Sequence, residues 1–527
     1  MMHQYQIDEP SFPKTLNTYL GQKGYTILKK ELTQDQQNEL RKILVAKPFI
    51  QGAPSIAGNQ SVTFPIYRES PNKFYVPRYF GEKYFGAAKD STIPEGEDIV
   101  IHFSGEMRDY QKPVVKTFMD HLSKNNNSGG GLLELPCAFG KTLLALYICS
   151  LLKKKTLIIV HKEFLMNQWI ERIEQFFPGT KIGKIQGQII DIENKDIVIG
   201  MLQSISMKDY HGDTFKSFGF TIIDEVHHIS SEVFSCALFK LVTKYTLGLS
   251  ATMNRKDGTT KVFKMFLGEV VYKGKRDEEF NVVVRAIEYK TNDEDFNEVT
   301  YDYKGNVQYS TMISKLCVYN NRTEFILKII RDMFSENEEQ QIMLLAHNKN
   351  VLKYLHDAIK HREIAGGSVG YYIGGMKEAA LKETEGKRVV IATYSMAAEA
   401  LDIKTLTTLI MVTPKTDIEQ AVGRILREKH GSPIVVDIID SHSTFQNQWN
   451  KRKQFYKKQN YKIIQTSIDK YDPDTNTWRV IFEPGAGSKT GNCTAASKYT
   501  KESTLSNDPM LQGKCLIKLP KFQKIGN

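Results

Sequence analysis

Gly131-Leu-Leu-Glu-Leu-Pro-Cys-Ala-Phe-Gly140-Lys141-Thr142 joins an apolar run to a Gly-Lys-Thr triplet. Leu132, Leu133 and Leu135 form a short apolar run that predicts a buried strand, and Leu143 to Leu152 continue as a helix-compatible run. Strand, tight loop and helix in that order make an anion site, because a helix start offers unpaired backbone N–H groups and the positive end of its dipole. Gly140 lets the backbone approach a phosphate, Lys141 can reach the outer phosphates, and the Thr142 hydroxyl can ligate Mg²⁺. Against the template G-x-x-x-x-G-K-[ST], Leu135 stands where the first glycine belongs, so the loop alone leaves a plain strand-to-helix turn open. The candidate nucleotide-binding residues are Leu135, Pro136, Cys137, Ala138, Phe139, Gly140, Lys141 and Thr142, with ATP and Mg²⁺ as the expected cofactors.

Around this loop, residues 96–275 alternate strand and helix, which predicts an α/β domain with a parallel sheet covered by helices. Candidate strands are 132–135, 156–160, 197–200, 220–223 and 246–250, with a helix over 162–177. Ligands bind at the carboxyl ends of such strands. Phe220-Thr-Ile-Ile is followed by Asp224-Glu225-Val-His-His, and an acid in that place can hold Mg²⁺ through water while its neighbour orients or deprotonates the attacking water. The next strand end carries Ser250-Ala-Thr252, small hydroxyl residues suited to relaying a change at the phosphate.

Gly-Lys-Thr, Asp-Glu-Val-His and Ser-Ala-Thr, each on a strand end and in that order, resemble the superfamily 2 helicases, whose core is two RecA-like domains. The resemblance implies a second α/β domain, and strand-helix alternation resumes near Ser314 with strands over 342–346, 388–393, 406–412 and 433–439. The domain expected over 312–442 follows a polar connector, 276–311, that carries a turn at Lys304-Gly-Asn. Asp417 to Lys429 read as a capped helix whose Gln420-x-x-Gly-Arg424-x-x-Arg427 matches the last helicase motif. Arg424 and Arg427 share a helix face, and a planar, permanently charged guanidinium suits a transferring phosphoryl group. Lys141, Asp224, Glu225, Gln420, Arg424 and Arg427 are therefore the catalytic candidates, with Thr142 and Asp224 toward the metal.

By the same resemblance, Arg108 and Gln111 in Arg-Asp-Tyr-Gln are expected at the adenine edge and Asp402 at the ribose. His161, Gln203, Ser204, Thr393 and Arg255 are expected on the nucleic acid. Leu-Pro-Cys before the loop, Leu-Gly-Leu-Ser-Ala-Thr-Met-Asn-Arg-Lys-Asp-Gly and the 64–81 segment are most similar to the xeroderma pigmentosum B-type branch and its large-DNA-virus relatives, including the poxviral transcript-release helicase. Ala138-Phe139, Ala400 and Lys256 depart from that branch.

Composition agrees with a polyanion partner. Seventy-one Lys and Arg against 60 Asp and Glu give a formal charge of +11 over 527 residues. Six scattered cysteines form no metal-ligand spacing and fit a reduced, intracellular setting, and the opening residues lack a signal-peptide profile. No apolar run approaches a membrane span of about 18 residues. The expected partner is nucleic acid, DNA favoured and RNA the alternative, with an RNA polymerase as a candidate protein partner and infected-cell cytoplasm or virion as the place of action.

Two flanking regions stay open. In 1–95, an accessory region, the aromatic-basic stretch from Phe64 to Phe85 suits either a nucleic-acid platform or a small core with Arg68, Lys73 and Arg78 left wet. In 443–527, Phe445, Trp449 and Tyr456 line one helix face beside Lys451, Arg452 and Lys453, which suits either a basic rail or a docked helix. Gly485 to Thr490 imitate a phosphate loop without a strand before it and read as a flexible linker. The rival functions are a duplex translocase, a transcript-release factor, and a binding protein with a decayed ATP site.

Overall fold

The structure, a computed structural model, describes residues 12–14, 16–48, 63–125, 128–136, 139–228, 232–253, 259–274, 281–399, 401, 403–426 and 431–484. The described residues up to Glu483 form one compact unit. The Gly485–Thr490 imitation lies outside the described residues.

Runs such as Thr156-Leu-Ile-Ile-Val160 have no polar face because helices or further layers cover both sides of the sheet they join. Leu157 and Ile159 enter one core, Ile158 and Val160 the other. From edge to edge the first large sheet runs Ile189–Ile190, Ile182–Gln186, Ile197–Met201, Thr156–Val160, Phe220–Ile223, Tyr245–Ser250, Gly129–Glu134, Val270–Lys273. Only the Ile189–Ile190 edge pairs antiparallel. The chain leaves Gly129–Glu134 and returns at Thr156–Val160, and the Phe220–Ile223 and Tyr245–Ser250 strands later fill the gap. Three motif-bearing strands thus end side by side in one crevice.

The second large sheet repeats the design in the order Val369–Tyr372, Val389–Thr393, Ile342–Ala346, Thr408–Met411, Ile434–Asp440, Val283–Tyr289, Lys462–Ser467, Arg479–Phe482, parallel except for the last pair. Its strand Val283–Tyr289 falls inside the stretch expected to be a polar connector. The charges that disguised it are paired: Arg285, 8% exposed, donates to both Glu336 carboxylate oxygens at 2.7 and 2.6 Å, and Glu288 accepts from Gln465 Nε2 at 2.6 Å. A strand between two parallel neighbours can carry charge once each charge has a partner. The turn at Lys304-Gly-Asn is present, with Gly305 at φ +77° and Asp302 accepting from the Lys304 and Asn306 amides.

The helix Ser443–Lys458 docks by its aromatic face, burying Phe445, Trp449 and Tyr456. Arg452, expected on the wet basic side, is fully buried against Asp437. Of the two readings left open there, the docked helix is the one the packing realises, and strands Lys462–Ser467 and Arg479–Phe482 then extend the second sheet.

In the N-terminal region five short strands order as Arg68–Glu69, Lys73–Val76, Gly24–Leu28, Thr18–Gly21, Asp90–Ser91. Thr33 and Gln36 exchange side-chain-to-backbone bonds at the start of helix Gln34–Ile43, a capping box that contributes about 1 kcal/mol. Helix Arg78–Phe85 lies directly on the sheet: a Cβ on Gly81 would stand 2.1 Å from Tyr25 Cγ. Tyr25, Phe74, Phe80 and Phe85 are buried, so these aromatics build a core, which continues into one face of the first large sheet. Arg78 is not wet as expected; it pairs with Glu82 at 2.8 Å. Among the described residues no helix is long and apolar enough to cross a membrane.

Candidate functional site

The loop after Gly129–Glu134 leads straight into helix Lys141–Leu152, with Gly140 at its N-cap in the left-handed region, φ +91°. Gln111 explains why that position is glycine. Its Nε2 donates to Phe139 O at 2.8 Å and would stand 2.4 Å from a Cβ at 140. Its Oε1 accepts from the Arg108 amide at 3.0 Å, and the Tyr110 and Phe139 rings meet edge to face at 4.9 Å. The Arg108–Gln111 element therefore braces the loop from below, with Gln111 buried and Arg108 exposed. Leu135 is buried and its amide donates to Ser250 O at 2.8 Å, so the missing glycine is a core position. Cys137 and Ala138 lie outside the described residues.

Lys141 Nζ reaches Glu225 Oε1 at 2.8 Å, which joins the phosphate loop to the acid box. Glu225 occupies the left-handed region at φ +49°, a conformation that costs a non-glycine residue roughly 1 to 3 kcal/mol. Burial alone would raise its carboxyl pKa, but the Lys141 ammonium and then His227 outweigh this and hold it well below the usual range. Asp224 behaves oppositely. Burial, and then the Glu225 charge, push its pKa up, opposed by Lys141 and by a hydrogen bond from Trp169 Nε1 to Oδ2 at 2.9 Å.

Trp169 sits in helix Glu163–Phe176 and is 2% exposed. Sequence reasoning missed it, because a tryptophan at helical spacing reads as core. Its indole N–H is the one feature that distinguishes it, and only the fold shows where that N–H points.

His227 ties the acid box in two further directions. Its Nδ1 lies 2.9 Å from Ser250 Oγ and 3.2 Å from Glu225 Oε2, and Ser250 Oγ also donates to Thr252 O at 2.6 Å. Its Nε2 lies 3.4 Å from Gln420 Nε2 in the second α/β half. The two halves also meet through Asn167 Nδ2 to Glu378 Oε2 at 3.0 Å and Lys382 to Glu171 at 2.8 Å, both exposed, while Phe164 packs against cores of both halves. Exposed pairs of this kind contribute under about 1 kcal/mol each.

Over its described part, 417–426, the expected capped helix is not continuous. Helix Glu419–Val422 starts at Ile418 without a side-chain cap and tightens into the 3₁₀ turn Gly423–Leu426. Arg424 donates Nε to Ala397 O at 2.6 Å and a terminal N–H to Leu401 O at 2.9 Å, which braces the loop after Thr393 within its own half. Among the described residues of this motif, Gln420 reaches the acid box, at His227. Arg427, Asp402 and Arg255 lie outside the described residues.

Toward the expected nucleic-acid face, His161, Gln203 and Thr393 all stand at carboxyl ends of parallel strands. Gln203 Nε2 donates to His161 O at 3.2 Å, Ser204 Oγ accepts from the Gly187 amide at 2.9 Å, and Thr393 Oγ1 lies 3.3 Å from Ser395 Oγ. His161, Gln203 and Ser204 follow strand ends of the first sheet, and Thr393 ends a strand of the second.

The donor set fits a magnesium nucleotide. A helix N-terminus preceded by a left-handed glycine offers amides to a phosphate, Lys141 supplies a cation, and Glu225 Oε2 is buried without a well-formed hydrogen bond. Thr142, half-buried, is the second residue of that helix.

The family model described as "Type III restriction enzyme, res subunit" matches residues 104–255. The chain is 34% identical over 460 residues to the Acanthamoeba polyphaga mimivirus protein named "Putative ATP-dependent RNA helicase L396", covering 85% of this chain and 86% of that one. African swine fever virus QP509L, of the same description, is 26% identical over 399 residues, 71% of this chain and 77% of its own. The crystal structure of T4 UvsW aligns over 83% of this chain and 96% of that one at 19% identity, with a TM-score of 0.33.

Proposed function

This chain belongs to the viral helicases of superfamily 2, and from that premise we propose that it is an ATP- and Mg²⁺-dependent motor that moves along one strand of nucleic acid. The observation that carries the reading is the chain of contacts Lys141–Glu225–His227–Gln420, which runs from the phosphate loop through the acid box into the last motif of the other half.

In this reading Lys141 and the amides at the start of its helix hold the outer phosphates, and Thr142 and Asp224 hold the metal, Asp224 through water. The metal, when bound, neutralises charge on the transferring phosphoryl group. Glu225, kept ionised by Lys141 and His227, is poised to orient or deprotonate water. Arg424 and Arg427 are assigned to the transition-state charge, and a polar interface between the halves permits the rotation that would present them. His161, Gln203, Ser204, Arg255 and Thr393 are assigned to the phosphodiester backbone, a salt-sensitive and sequence-blind grip consistent with the net charge of +11.

DNA is favoured as substrate on the resemblance to the xeroderma pigmentosum B-type branch, with action in viral transcription or genome processing. RNA is the competing reading, favoured by the names of two relatives. ATP turnover measured with single-stranded DNA, duplex DNA and RNA in turn, followed by strand displacement, decides between them. Turnover should rise with at least one polymer and fall by about a thousandfold in Lys141→Ala and Arg427→Ala. Turnover indifferent to every polymer would remove the motor reading.

A further inference from the structure

A cavity of about 210 Å³ opens between the N-terminal sheet and the first α/β half. The N-terminal sheet supplies Lys23 and Arg68 to its wall. The loop after helix Leu202–Met207 supplies Tyr210, His211 and Phe215, and Lys240 follows helix Glu232–Leu238.

The charges on this wall are unbalanced. Lys240 donates to Ile205 O, Ser206 O and Lys208 O at 3.1, 2.8 and 2.5 Å, and Arg68 to Cys236 O at 3.3 Å, while Lys23 lies 5.4 Å from the Tyr75 ring centroid. Among the described residues none of the three has a carboxylate partner at ion-pair distance, and Asp209 is the single acid on the wall. Burial, and then the charge of Arg68, lower the Lys240 pKa, with Asp209 opposing. Cations that repel each other in a partly desolvated pocket are relieved by an anion.

The wall is also aromatic and joined to the expected strand track. Tyr210 and Phe215 meet edge to face at 5.0 Å, and Tyr210 OH donates to Ser204 O at 2.9 Å. A pocket that pairs cations with half-buried rings suits a nucleotide unit better than a bare anion.

We propose that this pocket is a further nucleic-acid contact, taking one backbone phosphate against Lys23, Arg68 and His211 and the adjoining base against Tyr210 and Phe215. The proposal rests on the helicase reading above.

The test is the salt dependence of binding of a fluorescent oligonucleotide to the full chain. Lys23→Ala and Arg68→Ala should each flatten the slope of log K against log salt by up to about 0.7 on a single strand or 0.9 on a duplex, the double variant losing no more because both face one phosphate, and Arg68→Lys should keep the wild-type slope. Phe215→Ala should weaken binding roughly five- to a hundredfold with the slope kept. Lys23 is exposed on a turn, so its variant reports on binding without challenging the fold, and thermal melting checks the others. Wild-type slopes in both alanine variants would overturn the pocket while leaving the helicase reading intact. A change confined to inorganic phosphate or mononucleotide binding would overturn the strand contact in favour of a small-anion site. If the wild-type chain neither binds strands nor shows polymer-stimulated ATP turnover, the helicase reading falls and the strand contact with it.

Discussion

Both α/β halves bury acids on a central strand or just past its end, and they treat them in opposite ways. In the second half Asp440 accepts two bonds from Arg322 at 2.6 and 2.9 Å, and Asp437 accepts two from Arg452 at 2.7 Å and one from Tyr456 OH at 3.0 Å. In the first half Asp224 receives a neutral indole N–H, and Lys141, whose charge lowers its pKa, is bound to its neighbour Glu225. The second pair of acids is neutralised by the fold and serves it. Asp224 shares its nearby cation with Glu225 instead of owning one, and burial together with the Glu225 charge raises its pKa.

The contrast can be broken most directly with parallel substitutions. Asp440→Asn leaves Arg322 buried and unpaired and should cost about 3 to 5 kcal/mol, read as a fall in the urea midpoint. Asp224→Asn removes a charge that burial disfavours, so the midpoint should hold or rise while polymer-stimulated ATP turnover falls by about a thousandfold. Equal destabilisation by the two changes would erase the distinction between the halves.

A smaller effect tests the contact that joins them. Gln420→Ala should lower polymer-stimulated turnover roughly two- to thirtyfold, the range of a coupling of 0.5 to 2 kcal/mol. The double variant with His227→Ala should lose no more than the worse single variant, and additive losses would mean that the 3.4 Å approach carries no coupling.

The smallest effect is in the pH profile. The Trp169 N–H lowers the Asp224 pKa, so Trp169→Phe removes a lowering contribution and raises that pKa further. Asp224 must be ionised to hold a metal, so the acid limb of ATP turnover should move to higher pH while the neutral plateau changes little. An unmoved or downward-shifted limb would show that the indole positions the helix alone.

Much of this architecture could be read from residues in order. Thr156–Val160, Phe220–Ile223 and Ile342–Ala346 carry the bounds expected of them, because a strand covered on both faces is a continuous apolar run with polar ends. Val283–Tyr289 escaped for the complementary reason. Arg285 and Glu288 interrupt its run, and the partners that make them tolerable, Glu336 and Gln465, are far away in sequence. The same holds for Arg452, which local pattern places on a wet helix face and Asp437 draws into the core.

By itself the sequence determined that Gly-Lys-Thr, Asp-Glu-Val-His and Ser-Ala-Thr each follow a buried strand, since that depends on short apolar runs and on residue chemistry at their ends. Tertiary structure decided which side chains answer them: Gln111 beneath the loop, Trp169 on Asp224, and Gln420 reaching His227. Those partners come from distant parts of the chain, and no local period records where a neighbouring strand or helix will bring them.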